Sequence, residues 1–89
     1  MFIDWHPEQM KGVRITHKNG DVDNYDPVVT LKTLNGLFIV DNTYNTYRTP
    51  MSQVSRVESY DRILKVDEDF EDITWYEDIN FETLYEVNN

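Results

Sequence analysis

The side chains that could do chemistry are few, and their placement argues against catalysis. The 89 residues contain no cysteine and two histidines, His6 and His17. A nucleophile must stand beside a base to be activated, and neither histidine has a recognisable motif neighbour. His17 sits where it reads as a cross-strand partner on the face of Val13 and Ile15. Two of the three glycines belong to Asn-Gly dipeptides, so no glycine-rich phosphate loop is available. The stretch Asp21-Val22-Asp23-Asn24-Tyr25-Asp26 has the look of a calcium loop. Aligned from Asp21, however, it places Asp26 where glycine is needed and Lys32 where the bidentate glutamate belongs. The many carboxylates are crowded, with nothing to push their pKa values apart as an acid/base pair requires. The expectation is a non-enzymatic protein without metal or cofactor.

The acids carry the strongest signal. All eight Lys and Arg residues precede Asp67, together with eight of the 17 acids. The other nine acids, Asp67, Glu68, Asp69, Glu71, Asp72, Glu77, Asp78, Glu82 and Glu86, face no base, so the formal charge of −9 resides in residues 67–89. Phe70, Ile73, Trp75, Tyr76, Ile79, Phe81, Leu84, Tyr85 and Val87 are interleaved with them. Disordered acidic tails are poor in aromatics, so these side chains are expected against the body or against a partner. The candidate partner-binding residues are Asp67, Glu68, Asp69, Glu71, Asp72, Trp75, Tyr76, Glu77 and Asp78. Spread over a helix, the nine charges would lie about 4 Å apart; over a strand, about 8 Å. A DNA strand carries a phosphate every ~3.4 Å, and nucleic acid itself would be repelled by a chain of this charge.

The elements that must position these residues read as mainly β. Residues 12–18 alternate apolar and polar and lead into Asn19-Gly20, a dipeptide suited to a type I′ turn, with residues 21–25 returning. Residues 28–34, Asn35-Gly36 and residues 37–41 repeat that grammar. Residues 42–49 suit an exposed strand after a turn near Asp41-Asn42. Met51, Val54 and Val57, three apart, predict a helical or 3-10 turn before a further strand, and Ile63-Leu64-Lys65-Val66 supplies another short one. His6-Pro7-Glu8-Gln9-Met10 is expected to open a helical turn at Pro7. Past residue 72, a β-prone piece at Ile73-Thr74-Trp75-Tyr76 precedes a helical turn capped by Asn80. The domain reading is a β-rich body, residues 1–66, and an acidic aromatic segment, residues 67–89.

Two resemblances add to this. The two hairpins and the β-branched runs imply a small antiparallel sheet, with α+β as the alternative class; the segment from Thr49 to Glu58 also resembles the proline-containing corner of SH3-like and Sm-like small barrels, which implies such a barrel. Small size, absence of cysteine, a β body and the run Asp67-Glu68-Asp69-Phe70-Glu71-Asp72 with Glu77-Asp78 resemble phage-encoded acidic inhibitors of the DNA-mimic type, including anti-restriction and anti-CRISPR proteins. That resemblance implies a partner with a basic groove, such as a nuclease or another nucleic-acid-binding protein, in the host cytoplasm. The start of the chain lacks a signal-peptide pattern, and no segment approaches 18 consecutive apolar residues, so the sequence predicts a cytoplasmic, membrane-free inhibitor or adaptor. The rival expectation is a small structural subunit that self-associates.

Overall fold

The computed structural model describes residues 2–9, 11–66 and 74–87. They form eight strands and one 3-10 turn: β1 (Asp4–Trp5), β2 (Lys11–His17), β3 (Val22–Val28), β4 (Thr30–Leu34), β5 (Leu37–Asp41), β6 (Thr46–Pro50), the 3-10 turn Met51–Gln53, β7 (Val54–Val66) and β8 (Thr74–Glu86). Two four-stranded antiparallel sheets result, one ordered β1-β4-β5-β6 and the other β3-β2-β7-β8. The mainly β expectation holds, as two stacked sheets with no closed barrel. The barrel implied by the Thr49-to-Glu58 corner fails because the sheets share no strand. No helix among the described residues is long and apolar enough to cross a membrane.

Alternation builds the core. Val13 and Ile15 from β2, Val28 from β3, Leu31 from β4, Phe38 and Val40 from β5, and Val54 and Val57 from β7 form one buried cluster between the sheets. Leu84 and Tyr85 of β8 pack against it, and the Tyr85 ring meets Phe38 edge-on at 5.0 Å. Tyr25 and Tyr47 bridge the sheets elsewhere, with centroids 4.8 Å apart. Each fully buried aliphatic side chain contributes about 1.5–3 kcal/mol, so this cluster dominates the stability of a chain this small.

The two Asn-Gly dipeptides make different turns. Asn35 and Gly36 both have positive φ, 52° and 76°, which is the type I′ geometry expected between β4 and β5. At the first hairpin only Gly20 is positive, at 95°. The Gly20 amide donates to the His17 carbonyl at 3.0 Å, and the His17 amide to the Asp21 carbonyl at 2.8 Å. That is a three-residue loop closed by a glycine bulge rather than the expected type I′ turn. The 3-10 turn after Pro50 forms as expected.

Three expectations are corrected. Residues 6–9 make no helical turn; the preceding residues Asp4 and Trp5 pair as β1 with β4, and residues 8–9 form only a bend. The separate short strand at residues 63–66 is the continuation of β7, which runs 13 residues without a break. The helical turn at Asn80 is also absent, because β8 stays paired to β7 throughout. Asn80 has φ 58° and lies where the register slips between Ser59↔Glu82 and Asp61↔Ile79. It is a bulge residue, and asparagine tolerates that left-handed conformation.

Gly12 is needed for close approach. It lies opposite Tyr60, and a β-carbon there would fall 2.3–2.6 Å from Tyr60 ring and hydroxyl atoms. Tyr60 is fully buried and carries the Phe81 ring on its other side at 5.3 Å. Gly12→Ala is therefore expected to cost about 1–3 kcal/mol as an overpacking change, read as a lower midpoint in urea unfolding. In a Tyr60→Leu background the same substitution should cost markedly less, because the two sites share one space.

Candidate functional site

β7 outruns its inner neighbour. The pairing of β2 with β7 ends at Gly12↔Tyr60, while β7 and β8 go on pairing from Asp61↔Ile79 to Val66↔Thr74. Beyond Tyr60 the sheet is therefore a two-stranded ribbon. Its projection shows in the dimensions: the molecule measures 49 × 28 × 19 Å. Its radius of gyration is 14.6 Å, where a compact chain of this length has about 12 Å. The accessible surface is 6226 Å², against roughly 5,500 Å² from size alone.

The ribbon has two faces, set by strand alternation. One carries Arg62, Leu64, Tyr76 and Asp78; the other carries Asp61, Ile63, Lys65, Trp75, Glu77 and Ile79. Apolar side chains are exposed on both, with Leu64 at 53%, Trp75 at 46% and Tyr76 at 63% of full exposure. A two-stranded hairpin is marginal alone in water, and apolar side chains on both of its faces find no core to enter.

At the ribbon's root Arg62 ties it to the body. Its guanidinium Nε donates to Asp78 Oδ1 at 2.9 Å, lies 3.2 Å from Asp26 Oδ2, and sits 5.3 Å from the centre of the Tyr76 ring. Asp26, Pro27, Arg62 and Tyr76 line a cleft of about 350 Å³. Burial pushes the Asp26 carboxyl above the usual carboxylate range; Arg62 opposes this and Asp78 adds to it. Burial likewise raises the Tyr60 hydroxyl, helped by Asp26. Tyr60 Oη is buried without a hydrogen-bond partner among the described residues, and Asp26 Oδ2 is buried with the Arg62 ion-pair contact but no well-aligned hydrogen bond, a local cost accepted where β3 shifts register at Asp26-Pro27.

Of the nine expected binding residues, the structure brings together four. Trp75, Tyr76, Glu77 and Asp78 are consecutive on β8, opposite Lys65, Leu64, Ile63 and Arg62. Asp67, Glu68, Asp69, Glu71 and Asp72 lie outside the described residues, between the ribbon's two strands in sequence. The acids of β8 are not a free negative field. Glu86 pairs with Arg56 at 2.9 Å, Asp78 with Arg62 at 2.9 Å and Glu77 with Lys65 at 3.9 Å. The four acids of β8, Glu77, Asp78, Glu82 and Glu86, are spread over nine residue steps of extended strand, on average about 10 Å apart at ~3.4 Å per residue, against ~3.4 Å per phosphate along a DNA strand.

Sequence reading missed Leu64, Arg62 and Asp26. The available signal was Ile63-Leu64, two adjacent apolar residues that in an extended strand must point to opposite faces. The histidines are occupied locally: His6 Nε2 lies 2.6 Å from Asp4 Oδ1, and His17 Nε2 lies 2.8 Å from Asp23 Oδ2 across the first hairpin. No group of three or more potential metal ligands occurs among the described residues. No family model matches the chain, and no curated protein or solved structure matches it.

The Asp26 environment has a consequence for pH. A carboxyl whose folded pKa lies above its unfolded one holds its proton longer in the folded state, so its contribution to stability falls as pH rises through that window. Asp26→Asn removes this dependence. The variant's stability relative to wild type is therefore expected to improve between about pH 3 and pH 6, as followed by thermal unfolding at each pH. A relative stability that worsened over that range would show that Asp26 is held ionised instead.

Proposed function

We propose that the protein is a non-catalytic binding module, an inhibitor or adaptor that docks on a basic protein surface through the far end of the β7–β8 ribbon. The observation that carries this reading is the exposure of Leu64, Trp75 and Tyr76 on a ribbon that leaves the core behind. Aromatic anchors of this kind dominate docked interfaces once desolvated. The five acids at 67–72 adjoin them in sequence and raise the association rate with a positively charged partner through long-range attraction. Inhibition of a nucleic-acid-binding protein is one form of this activity, with the basic groove as the surface engaged.

A second reading, self-assembly, draws on the other sheet, at β1 and β4. Phe2 is 81% and Leu34 59% exposed, and both border a cleft of about 220 Å³ with Ile3 and Ile39. Light scattering separates the readings: a discrete multimer that Leu34→Glu dissolves would support assembly.

The docking reading is tested by affinity capture from native lysate with three versions of the full chain. Trp75→Ala with Tyr76→Ala should lose the captured partner while lowering the melting temperature only slightly, since neither side chain enters the core between the sheets. Neutralising Asp67, Glu68, Asp69, Glu71 and Asp72 together to Asn or Gln should weaken capture at ~0.1 M salt, where the Debye length is about 10 Å, far more than at ~1 M. Capture unchanged by both sets of substitutions would remove the ribbon as the docking element.

A further inference from the structure

The free edges of the two sheets are unequal. β1 is two residues long, and β6 is five residues ending in Pro50. β3 contains Pro27, which has no N–H to offer, and is bulged beside it. These are the usual ways in which natural sheets blunt an edge. β8 is different: it is the outer strand of its sheet, 13 residues long, and contains no proline, glycine, lysine or arginine. Between Thr74 and Ile79 its pairing with β7 is in continuous register, which gives about 20 Å of regular strand before the bulge at Asn80. Trp75, Tyr76 and Ile79 are strong strand formers, and the outward N–H and C=O groups of this stretch have no strand beside them among the described residues.

We propose that this edge receives an extended basic segment of the partner protein by antiparallel strand addition. The inference rests on the docking reading above and specifies how the partner is held. Charge selects the occupant. Glu77 and Asp78 lie on opposite faces of the regular stretch, and Asp78 is already held by Arg62, so an added strand fits when a basic residue faces Glu77 and apolar residues flank Trp75 and Tyr76. Glu77 is half exposed, and its contact with Lys65 is long at 3.9 Å, leaving its oxygens able to accept further hydrogen bonds. An antiparallel pairing with a second copy of β8 in the register that sets Glu77 against the second copy's Glu77 would place like charges directly across a strand pair, which is destabilising. Glu77 thus favours a basic strand over that self-paired register. Strand addition supplies main-chain hydrogen bonds for affinity and alternate side-chain positions for specificity.

The test uses the full-length protein and a capped peptide of sequence Thr-Val-Lys-Lys-Val-Val-Thr, with amide hydrogen exchange of residues 74–79 as the readout. The expected result is that the amides of this stretch not bonded to β7 slow by about tenfold or more. The same peptide methylated on alternate backbone nitrogens, which keeps its charge but cannot pair, should slow none of them, and a version with Glu for Lys should not bind. Equal protection by the methylated peptide, binding of the basic peptide without slowed exchange at 74–79, or absence of binding at millimolar peptide would each overturn strand addition. Those results leave the docking reading intact so long as the Trp75 and Tyr76 substitutions still abolish capture. If those substitutions leave capture intact, the docking reading fails whatever the peptide does.

Discussion

The rest of the structure depends on a mismatch of strand lengths. β7 has 13 residues and β2 only seven, so β2 covers β7 as far as Tyr60 and no further. Up to that point β7 is a central strand, with Val54 and Val57 in the core. Past it the same strand has a single neighbour. The change is anchored rather than gradual: Gly12 ends the β2 pairing by making room for the Tyr60 ring, and Phe81 covers that ring from β8. Arg14 adds its guanidinium 4.6 Å from the Phe81 ring centre. The junction is thus a packed aromatic and cationic cluster on the outer face of the second sheet, separate from the core between the sheets. Arg62 then fastens the first residues of the ribbon to Asp26 on β3.

Charge is resolved by the same pairing. In one dimension, the bases of the chain end before its last nine acids begin, which suggests a segment with nothing to neutralise it. Folding β8 onto β7 brings Arg56, Arg62 and Lys65 against Glu86, Asp78 and Glu77. Solvent screens exposed ion pairs of this kind, so they add little to stability and act more on register. They also shift the uncompensated charge toward the five acids at 67–72, which follow β7 directly in sequence.

Local pattern made much of the fold legible. The Asn35-Gly36 hairpin, the 3-10 turn after Pro50 and the β character of residues 12–60 follow from alternation and turn chemistry, which act within a few residues. What was illegible depended on partners distant in sequence. Asn80 reads as a helix cap in isolation, and only the register against Ser59 and Asp61 makes it a bulge. Ile63-Leu64-Lys65-Val66 reads as a small separate strand because nothing local shows that β7 does not stop at Tyr60. Trp75 and Tyr76 were singled out as binding residues on composition; the reason for their exposure, a ribbon with no third strand, exists only in three dimensions. Arg62 and Asp26 had no local signature at all, since their contact joins β7 to β3.

Tyr60 divides a sandwich from a ribbon that lacks support of its own. Residue-resolved amide exchange of the free protein tests this division most directly. Amides of residues 54–60 and 81–86 that are bonded within the sheet should exchange only with global unfolding, whereas those of 62–66 and 74–78 should exchange through local opening at far lower free energy. A protection profile that ran level across Tyr60 to the end of β7 would contradict the account, because the ribbon would then be as firmly held as the core.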